Sequence, residues 1–297
     1  MGRCIIARVV APAAVAALVA ACGGSPNSPG PAVQPQQLAP QPVAPAPPNN
    51  PSVIDALNAK GRGSKEPANF ADLGETIDLT AKVHDDETPI EELEYHWSAP
   101  AGTFDGSGAN VTWRAPDTAE TPALVSITLK VVEKYGYPGA AKIYQQDVSA
   151  SVTLSLHDSR KEVGEMSRQF LLDFSDSNIR DVGYIMRNFL QGCYGTAEET
   201  AQVTENRRRY RIVESRIEAA STSVNFGGVC PYNGKKGDAC TAIPVFWRSL
   251  DMDRGNAEER VGGTDWIASF YVADKQRWYL CDSSFDGRRA LHSTFIR

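Results

Sequence analysis

The chain has 297 residues, a net charge of −6 at pH 7 and an isoelectric point near 5.4. An acidic chain of this kind is repelled by phosphate backbones and by anionic lipid surfaces, which excludes nucleic-acid binding as the principal function. The length exceeds that of one average domain, and it predicts two domains that each bury their own core.

The first 21 residues have the three parts of a secretory signal peptide. Arg3 and Arg8 form a positive leader, and residues 9–21 form an apolar segment that is too short for the roughly 20 residues of a spanning helix. The segment ends in Leu-Val-Ala-Ala-Cys, which resembles the lipobox of bacterial lipoproteins. This resemblance implies removal of residues 1–21 and acylation of Cys22, and therefore a membrane partner reached through a lipid anchor.

Residues 22–51 are predicted to form a disordered tether behind the lipid. Residues 23–51 contain more than half of the 19 prolines of the chain and no charged or aromatic residue. Such a composition buries too little apolar surface to offset the entropy of ordering, and it favours extended states. By resemblance to the sorting rule of enteric bacteria, Gly23 after the lipidated cysteine implies the outer membrane, on its periplasmic side or at the cell surface.

The cysteines of the folded part predict disulfide bonds. Cys4 lies in the signal and Cys22 carries the lipid, which leaves four others: Cys193, Cys230, Cys240 and Cys281. An even number in an exported chain indicates disulfides, with three possible pairings. We favour Cys230 with Cys240, which closes the loop CPYNGKKGDAC, and the remaining two with each other. Zinc is the rival interpretation, but no C-x-x-C pair is present, so no metal or cofactor is expected.

Residues 52–157 are predicted to form an all-β sandwich. Apolar residues alternate with period two in TIDLTAKVHD, LEYHWSAP, LVSITLKVVEK and DVSASVTLSL, and clusters of turn residues separate these segments. The stretch EYHWSAPAGTFDGSGANVTWRAP resembles the immunoglobulin-like and polycystic-kidney-disease (PKD) modules of bacterial surface proteins. The resemblance implies that Trp97 packs between the two sheets and that residues 111–113 belong to the same core.

An acidic loop in this region allows two interpretations. Five carboxylates crowd it: Asp85, Asp86, Glu87, Glu91 and Glu92. Oxygen ligands in a loop suit calcium, but the alternating spacing of a calcium loop is absent, which favours a solvated acidic loop.

Residues 158–297 change to a helical period. Apolar residues at helical spacing predict helices beginning near Ser159 and near Val182, and TAEETAQVTENRRRY predicts a third helix. Strand patterns follow in YRIVESRIEAASTSVNF, TAIPVFWRSL and DWIASFYVADKQRWYLCDSSF, so the expectation is an α+β domain with helices packed on a curved antiparallel sheet. This order resembles the cone-shaped family of nuclear transport factor 2 and ketosteroid isomerase, which implies a pocket at one end of the sheet.

Members of that family include isomerases and dehydratases, so a catalytic group was sought. Asp265, Asp282 and Tyr279 are candidate pocket residues, whereas His157 and His292 lie outside the predicted core strands. The aromatic residues are more simply explained as core, and no catalytic motif is present, so we expect no catalytic residue and no enzyme.

The basic cluster is the remaining candidate for partner binding. It consists of Arg207, Arg208, Arg209 and Arg211, at the end of the third predicted helix. These cations either oppose the helix dipole as a solvated end or dock an anionic envelope protein or polysaccharide. The sequence therefore predicts a binding, adhesion or structural lipoprotein of the cell envelope, with a small-molecule isomerase or hydrolase and a glycan-binding module as alternatives.

Overall fold

The computed structural model describes residues 45–61, 67–139, 141–230 and 234–289. The predicted signal peptide, the lipidated Cys22, most of the predicted tether and His292 lie outside the described residues. Residues 46–297 belong to one compact unit, and the predicted boundary at residues 157 and 158 falls inside it.

Two four-stranded sheets are built from the first eight strands. The strands are β1 (Val53–Gly61), β2 (Phe70–Asp72), β3 (Thr76–His84), β4 (Glu94–Ser98), β5 (Thr103–Ser107), β6 (Asn110–Arg114), β7 (Ala123–Tyr135) and β8 (Tyr144–His157). One sheet has the order β1-β3-β6-β5 and the other β2-β8-β7-β4. All of the pairs are antiparallel except β2 with β8.

The two sheets bury one shared apolar core. Leu79 of β3 and Trp113 of β6 meet Ile127 of β7 and Leu154 of β8 in it. Trp113 is fully buried and donates its indole N–H to the carbonyl oxygen of Ala101 at 3.0 Å. The period-two alternation therefore supplies one inward face per sheet, as half-buried strands require.

Trp97, which the resemblance placed between the sheets, is only half-buried. Its indole N–H donates to the carbonyl oxygen of Gly108 at 2.9 Å, and its ring packs at the edge of the shared core. Trp113 occupies the deeper position in the core.

The rest of the chain forms a six-stranded sheet and three α-helices. The helices are α1 (Ser159–Ser175), α2 (Val182–Ile185) and α3 (Thr196–Arg209), and the strands are β9 (Tyr210–Ile217), β10 (Ser223–Asn225), β11 (Ala239–Asp251), β12 (Ala257–Val272), β13 (Arg277–Phe285) and β14 (Arg288–Arg289). The sheet runs β10-β11-β12-β13, with β9 also paired to β11 and β14 to β12.

The prediction of an α+β cone-type domain over residues 158–297 is wrong. The chain is mostly β, with 49% strand against 19% helix, and its several sheets include a half-barrel. Of the second predicted helix, which begins near Val182, only the single turn α2 is helical. Residues 188–190 then run along β13, where the Leu190 amide donates to the carbonyl of Leu280 at 2.7 Å and the Leu280 amide donates to that of Asn188 at 2.8 Å.

A longer hairpin than expected adds to the strand content. β12 begins at Ala257, eight residues before the predicted strand. Ala257 pairs with Asp251, the last residue of β11, and the pairing continues back along β11 to Ala239. Gly255 and Asn256 form its turn, and both have positive φ near 65°. The segment that leads out of this turn is charged and half exposed, so it carries no apolar alternation that predicts a strand.

The two parts of the compact unit meet at a buried aromatic cluster. His157, at the end of β8, stacks on Phe70, and its Nε2 lies 3.1 Å from the hydroxyl of Tyr271 in β12. The Asp158 carboxylate accepts a hydrogen bond from the Lys161 amide and caps α1, so the helix starts directly behind this cluster.

Two cysteine pairs lie at disulfide distance. Cys193 pairs with Cys281, with Cα atoms 5.5 Å apart, and Cys230 pairs with Cys240, with Cα atoms 5.2 Å apart. These are the two pairs that the sequence favoured. The first joins the loop before α3 to β13, and the second joins the loop before β11 to β11 itself.

Candidate functional site

A pocket of about 290 Å³ lies between α1, α3 and the inner face of the six-stranded sheet. This is near the small end of the range of small-molecule sites. The strands contribute alternate residues to it because side chains of one face recur every second position. Its lining residues are Phe170, Leu171 and Phe174 of α1, Glu199, Gln202, Asn206 and Arg207 of α3, and Tyr210, Ile212, Trp247, Ser249, Glu259, Val261, Asp265, Ser283 and Phe285 of the strands.

One wall of the pocket is aromatic. The ring centroid of Trp247 lies 5.6 Å from that of Phe174 and 5.2 Å from that of Phe285. The indole N–H of Trp247 donates to the Ser175 hydroxyl at 2.8 Å, which fixes the ring. This wall offers an apolar body a rigid surface with little rotamer entropy to lose.

Glu199 is the least expected residue of the pocket. It lies in the first turn of α3 and is only 7% exposed, and its carboxyl accepts no hydrogen bond from the described residues. Burial above all, together with the charges of Asp265 and Asp282 and against the opposing charge of Lys235, raises the pKa of its carboxyl to about 8. The Glu199 carboxyl oxygens keep some accessibility to the pocket, where a bound molecule can reach them.

Asp265 of β12 is the second buried acid of the pocket, at 4% exposure. Its carboxylate accepts a hydrogen bond from the Ser283 hydroxyl at 2.7 Å. Burial raises its pKa to about 6, and the neighbouring charges of Asp282 and Asp286 act in the same direction. Two acids of different pKa therefore share one cavity.

The position of Glu199 depends on how α3 is attached to β13. The Cys193–Cys281 pair lies just before the helix. Gly195 precedes the first helical residue, and a Cβ atom there would lie 2.3 Å from a carboxylate oxygen of Asp282. Only glycine permits this approach, because any side chain would push the helix off the strand. Asp282 in turn accepts a hydrogen bond from the Lys235 ammonium at 2.7 Å.

Arg207 contributes the cationic group of the pocket. It is 8% exposed, and its Nη2 donates to the carbonyl oxygens of Asp173 and Phe174, at 2.7 and 2.6 Å, in the last turn of α1. A cation is favourable there because the end of a helix carries partial negative charge. The Nε of Arg207 is buried and lacks a hydrogen-bond partner among the described residues.

The other members of the predicted basic cluster lie outside the pocket. Arg208 pairs with Glu205 and Asp253, each at 2.7 Å. Arg209 pairs at 2.7 Å with Asp251, whose side chain is fully buried, and hydrogen bonds from Arg209 hold the pKa of that carboxyl below its usual range. The last member, Arg211, is exposed on β9. The structure thus separates four residues that are neighbours in sequence.

Of the described residues that were candidates for catalysis, the structure brings only Asp265 into the pocket. Asp282 lies behind it in the pair with Lys235, and His157 lies in the aromatic cluster with Phe70. Tyr279 lines a separate depression near α2. Sequence reasoning missed Glu199, although Glu199, Val203 and Arg207 recur every four residues on one buried face of α3, and that spacing is a signal.

The acidic loop is ordered by its own hydrogen bonds. The Asp85 carboxylate accepts from the amides of Glu87 and Thr88, at 2.9 and 2.7 Å, and from the Ser52 hydroxyl at 2.8 Å. Within the part of the chain that the structure describes, no three His, Cys, Asp or Glu side chains converge to hold a metal ion.

The pKa of Glu199 predicts how stability depends on pH. The folded value is about 8 and the ordinary value 4.5, so the unfolded chain releases the proton first as the pH rises. The contribution of Glu199 to wild-type stability therefore falls between these pH values, by up to about 1.4 kcal/mol per pH unit. We expect Glu199→Gln to exceed wild type in urea-unfolding free energy by a margin that widens across this window.

The exposed Glu165 of α1 gives the matched control, because Glu165→Gln removes the same charge outside the pocket and Glu165 is not among the charges that act on Glu199. Its unfolding free energy should follow wild type at every pH. A margin for Glu199→Gln that is the same at pH 4.5 and pH 8 would contradict the assigned pKa.

Comparison of the chain with protein-family models, with curated proteins and with solved structures yields no significant match. Among the described residues, no helix combines the length and the apolar character that crossing a membrane requires. The candidate site therefore stands on its own geometry.

Proposed function

We propose that this chain is an exported, lipid-anchored protein of the bacterial cell envelope that binds a small, partly apolar organic molecule. The binding site is the pocket between α1, α3 and the six-stranded sheet. The observation that carries the proposal is that this cavity combines a rigid aromatic wall with two nearly buried ionisable groups. These are the Glu199 carboxyl, which accepts no hydrogen bond from the described residues, and Arg207, whose Nε has no partner among them.

A purely structural role explains this cavity poorly. Filling it with apolar side chains would stabilise the domain. An empty cavity lacks van der Waals contacts between side chains, and burying a charged group removes its favourable interaction with water. Small-molecule sites, in contrast, have mostly apolar walls and a few convergent polar groups. The pocket has that composition, with polar groups on α3 and aromatic rings on α1, β11 and β13.

The proposed anchor rests on the sequence of the first 22 residues. The positive leader, the short apolar segment and Ala-Ala-Cys together support lipidation of Cys22. Two or three acyl chains hold a protein stably, whereas one chain binds only marginally. The proline-rich residues behind it, at roughly 3 Å per residue, give the binding domain reach from the outer membrane.

Lipidation has a direct test in cells fed an alkyne-tagged palmitate. We expect the wild-type chain to incorporate the label and Cys22→Ser to lose it, because serine lacks the thiol that accepts the acyl group. Cys4→Ser is the matched control and should retain the label, since Cys4 leaves with the signal. Labelling of the Cys22→Ser chain would refute the assignment.

Binding in the pocket can be measured with the neutral naphthalene dye Prodan and the full-length protein in detergent micelles. We expect saturable binding of one dye per chain above the micelle blank. Val261→Trp fills the cavity and should abolish it, whereas Val213→Trp, on an exposed position of β9, should not. Dye binding that survives Val261→Trp unchanged would place the site elsewhere.

The partner of the anchored protein is proposed to be an envelope protein or an anionic polysaccharide that docks at the basic cluster. Arg211 is exposed and makes no ion pair among the described residues, whereas Arg208, which is also exposed, and Arg209 are held in ion pairs. We expect Arg211→Glu to lower recovery of co-purifying envelope chains or glycans severalfold in affinity capture. Arg168→Glu, an exposed charge reversal on α1, is the control. Equal recovery with both variants would end this proposal.

A second candidate function is a small-molecule isomerase or hydrolase. The observation that favours it is the pair of buried acids, with pKa values of about 8 for Glu199 and about 6 for Asp265. Such a pair is able to serve as acid and base in one pocket. A binding protein returns its ligand unchanged, whereas an enzyme alters it, and mass spectrometry of the released molecule distinguishes the two.

A further inference from the structure

The charges around the pocket do not balance. Asp282, behind Glu199, is neutralised by Lys235 at 2.7 Å, and Glu259 at the wall is paired with Arg254. Arg207 is held by the carbonyl oxygens at the end of α1. The pairs leave two acids of the pocket, Glu199 and Asp265, against one cation, Arg207.

Neither remaining acid has a cationic partner within hydrogen-bonding distance among the described residues. Asp265 accepts only neutral donors such as the Ser283 hydroxyl, and Glu199 accepts none. Two carboxyls of this kind repel one another when both are ionised, and the low polarity of the surroundings strengthens the repulsion. A positive charge placed between them would remove it.

We propose, as an extension of the binding function above, that the pocket selects organic cations, namely small amines with an apolar or aromatic body. The ammonium group would lie at the Glu199 and Asp265 end, and the body would lie against the aromatic wall. This inference rests on the proposed binding function and specifies the chemical class of its ligand.

The aromatic wall suits the same class of molecule. Phe174, Trp247 and Phe285 form a continuous series of tilted or edge-to-face contacts. These rings give the apolar body of an amine a rigid contact surface, while its ammonium group lies with the two acids. A neutral ligand of equal shape would gain only the contact with the rings.

Proton release gives this inference a distinctive signature. Glu198 of α3, Asp265 of β12, Asp282 of β13 and Lys235 are the charged groups that act on Glu199. Below about pH 8 the Glu199 carboxyl holds a proton that a bound ammonium must displace. Affinity for an amine should therefore rise with pH, by up to about tenfold per unit between the two pKa values, about 6 and about 8.

Three probes of one shape separate the possible ligand classes: phenethylamine, 2-phenylethanol and 3-phenylpropanoate. Titration calorimetry with the full-length protein in micelles, corrected by micelle blanks, gives their affinities from pH 6 to pH 8. We expect phenethylamine to bind at least tenfold more tightly than the other two at pH 8. Its affinity should rise with pH, and proton release should appear as a dependence of the heat on the buffer.

Glu199→Gln tests the residue, and Glu165→Gln on the exposed side of α1 is its matched control. The first change should weaken phenethylamine binding at least tenfold and flatten the pH dependence, while the second leaves both unchanged. Asp265→Asn makes the same test from β12 if Glu199→Gln does not fold.

Each other outcome overturns the inference. Equal affinity for the alcohol would show an apolar pocket without selection for charge, and preference for the carboxylate would assign recognition to Arg207. In both cases the proposed binding function stands. If no probe binds while Prodan does, selection for amines is refuted alone, and if Prodan fails as well, the binding function falls with it.

Discussion

The attachment of α3 to β13 is the constraint on which the candidate site depends. The Cys193–Cys281 pair and the close approach of Gly195 to Asp282 hold the start of the helix against the strand. This contact directs one face of α3 at the sheet, so Glu199 and Arg207 enter the same cavity, eight residues apart. At 1.5 Å per residue they are about 12 Å apart along the helix axis, which gives the pocket an acidic and a basic end.

The pocket places charge where packing alone would favour apolar side chains. Burial of Glu199 and Asp265 disfavours their ionised forms, and both pKa values rise as a result. The opposite occurs at Asp251, where arginine side chains surround a buried carboxylate and lower its pKa. Because the domain neutralises buried acids such as Asp251 and Asp282 and leaves two others without a cation, we attribute the second arrangement to the proposed ligand binding rather than to stability.

Local patterns predicted individual elements better than their assembly. Alternating apolar residues marked strands such as β3 and β7, because half-buried strands need that alternation. The apolar spacing from Val182 to Leu190 equally suggested a helix, yet only Val182–Ile185 is helical, and residues 188–190 lie along β13 and bond to Leu280. The neighbouring strand decided that outcome, and an error of this type turned a mostly β region into a predicted α+β cone.

The sequence by itself determined the features that need no folding partner. These are the lipobox-like segment at Cys22, the proline-rich composition behind it and the even set of cysteines in the C-terminal half. Only the tertiary structure decided which acids are buried together, because Glu199 and Asp265 lie 66 positions apart and meet through the packing of α3 on the sheet. A pKa depends on solvent and on neighbouring charges, and both are properties of the folded chain.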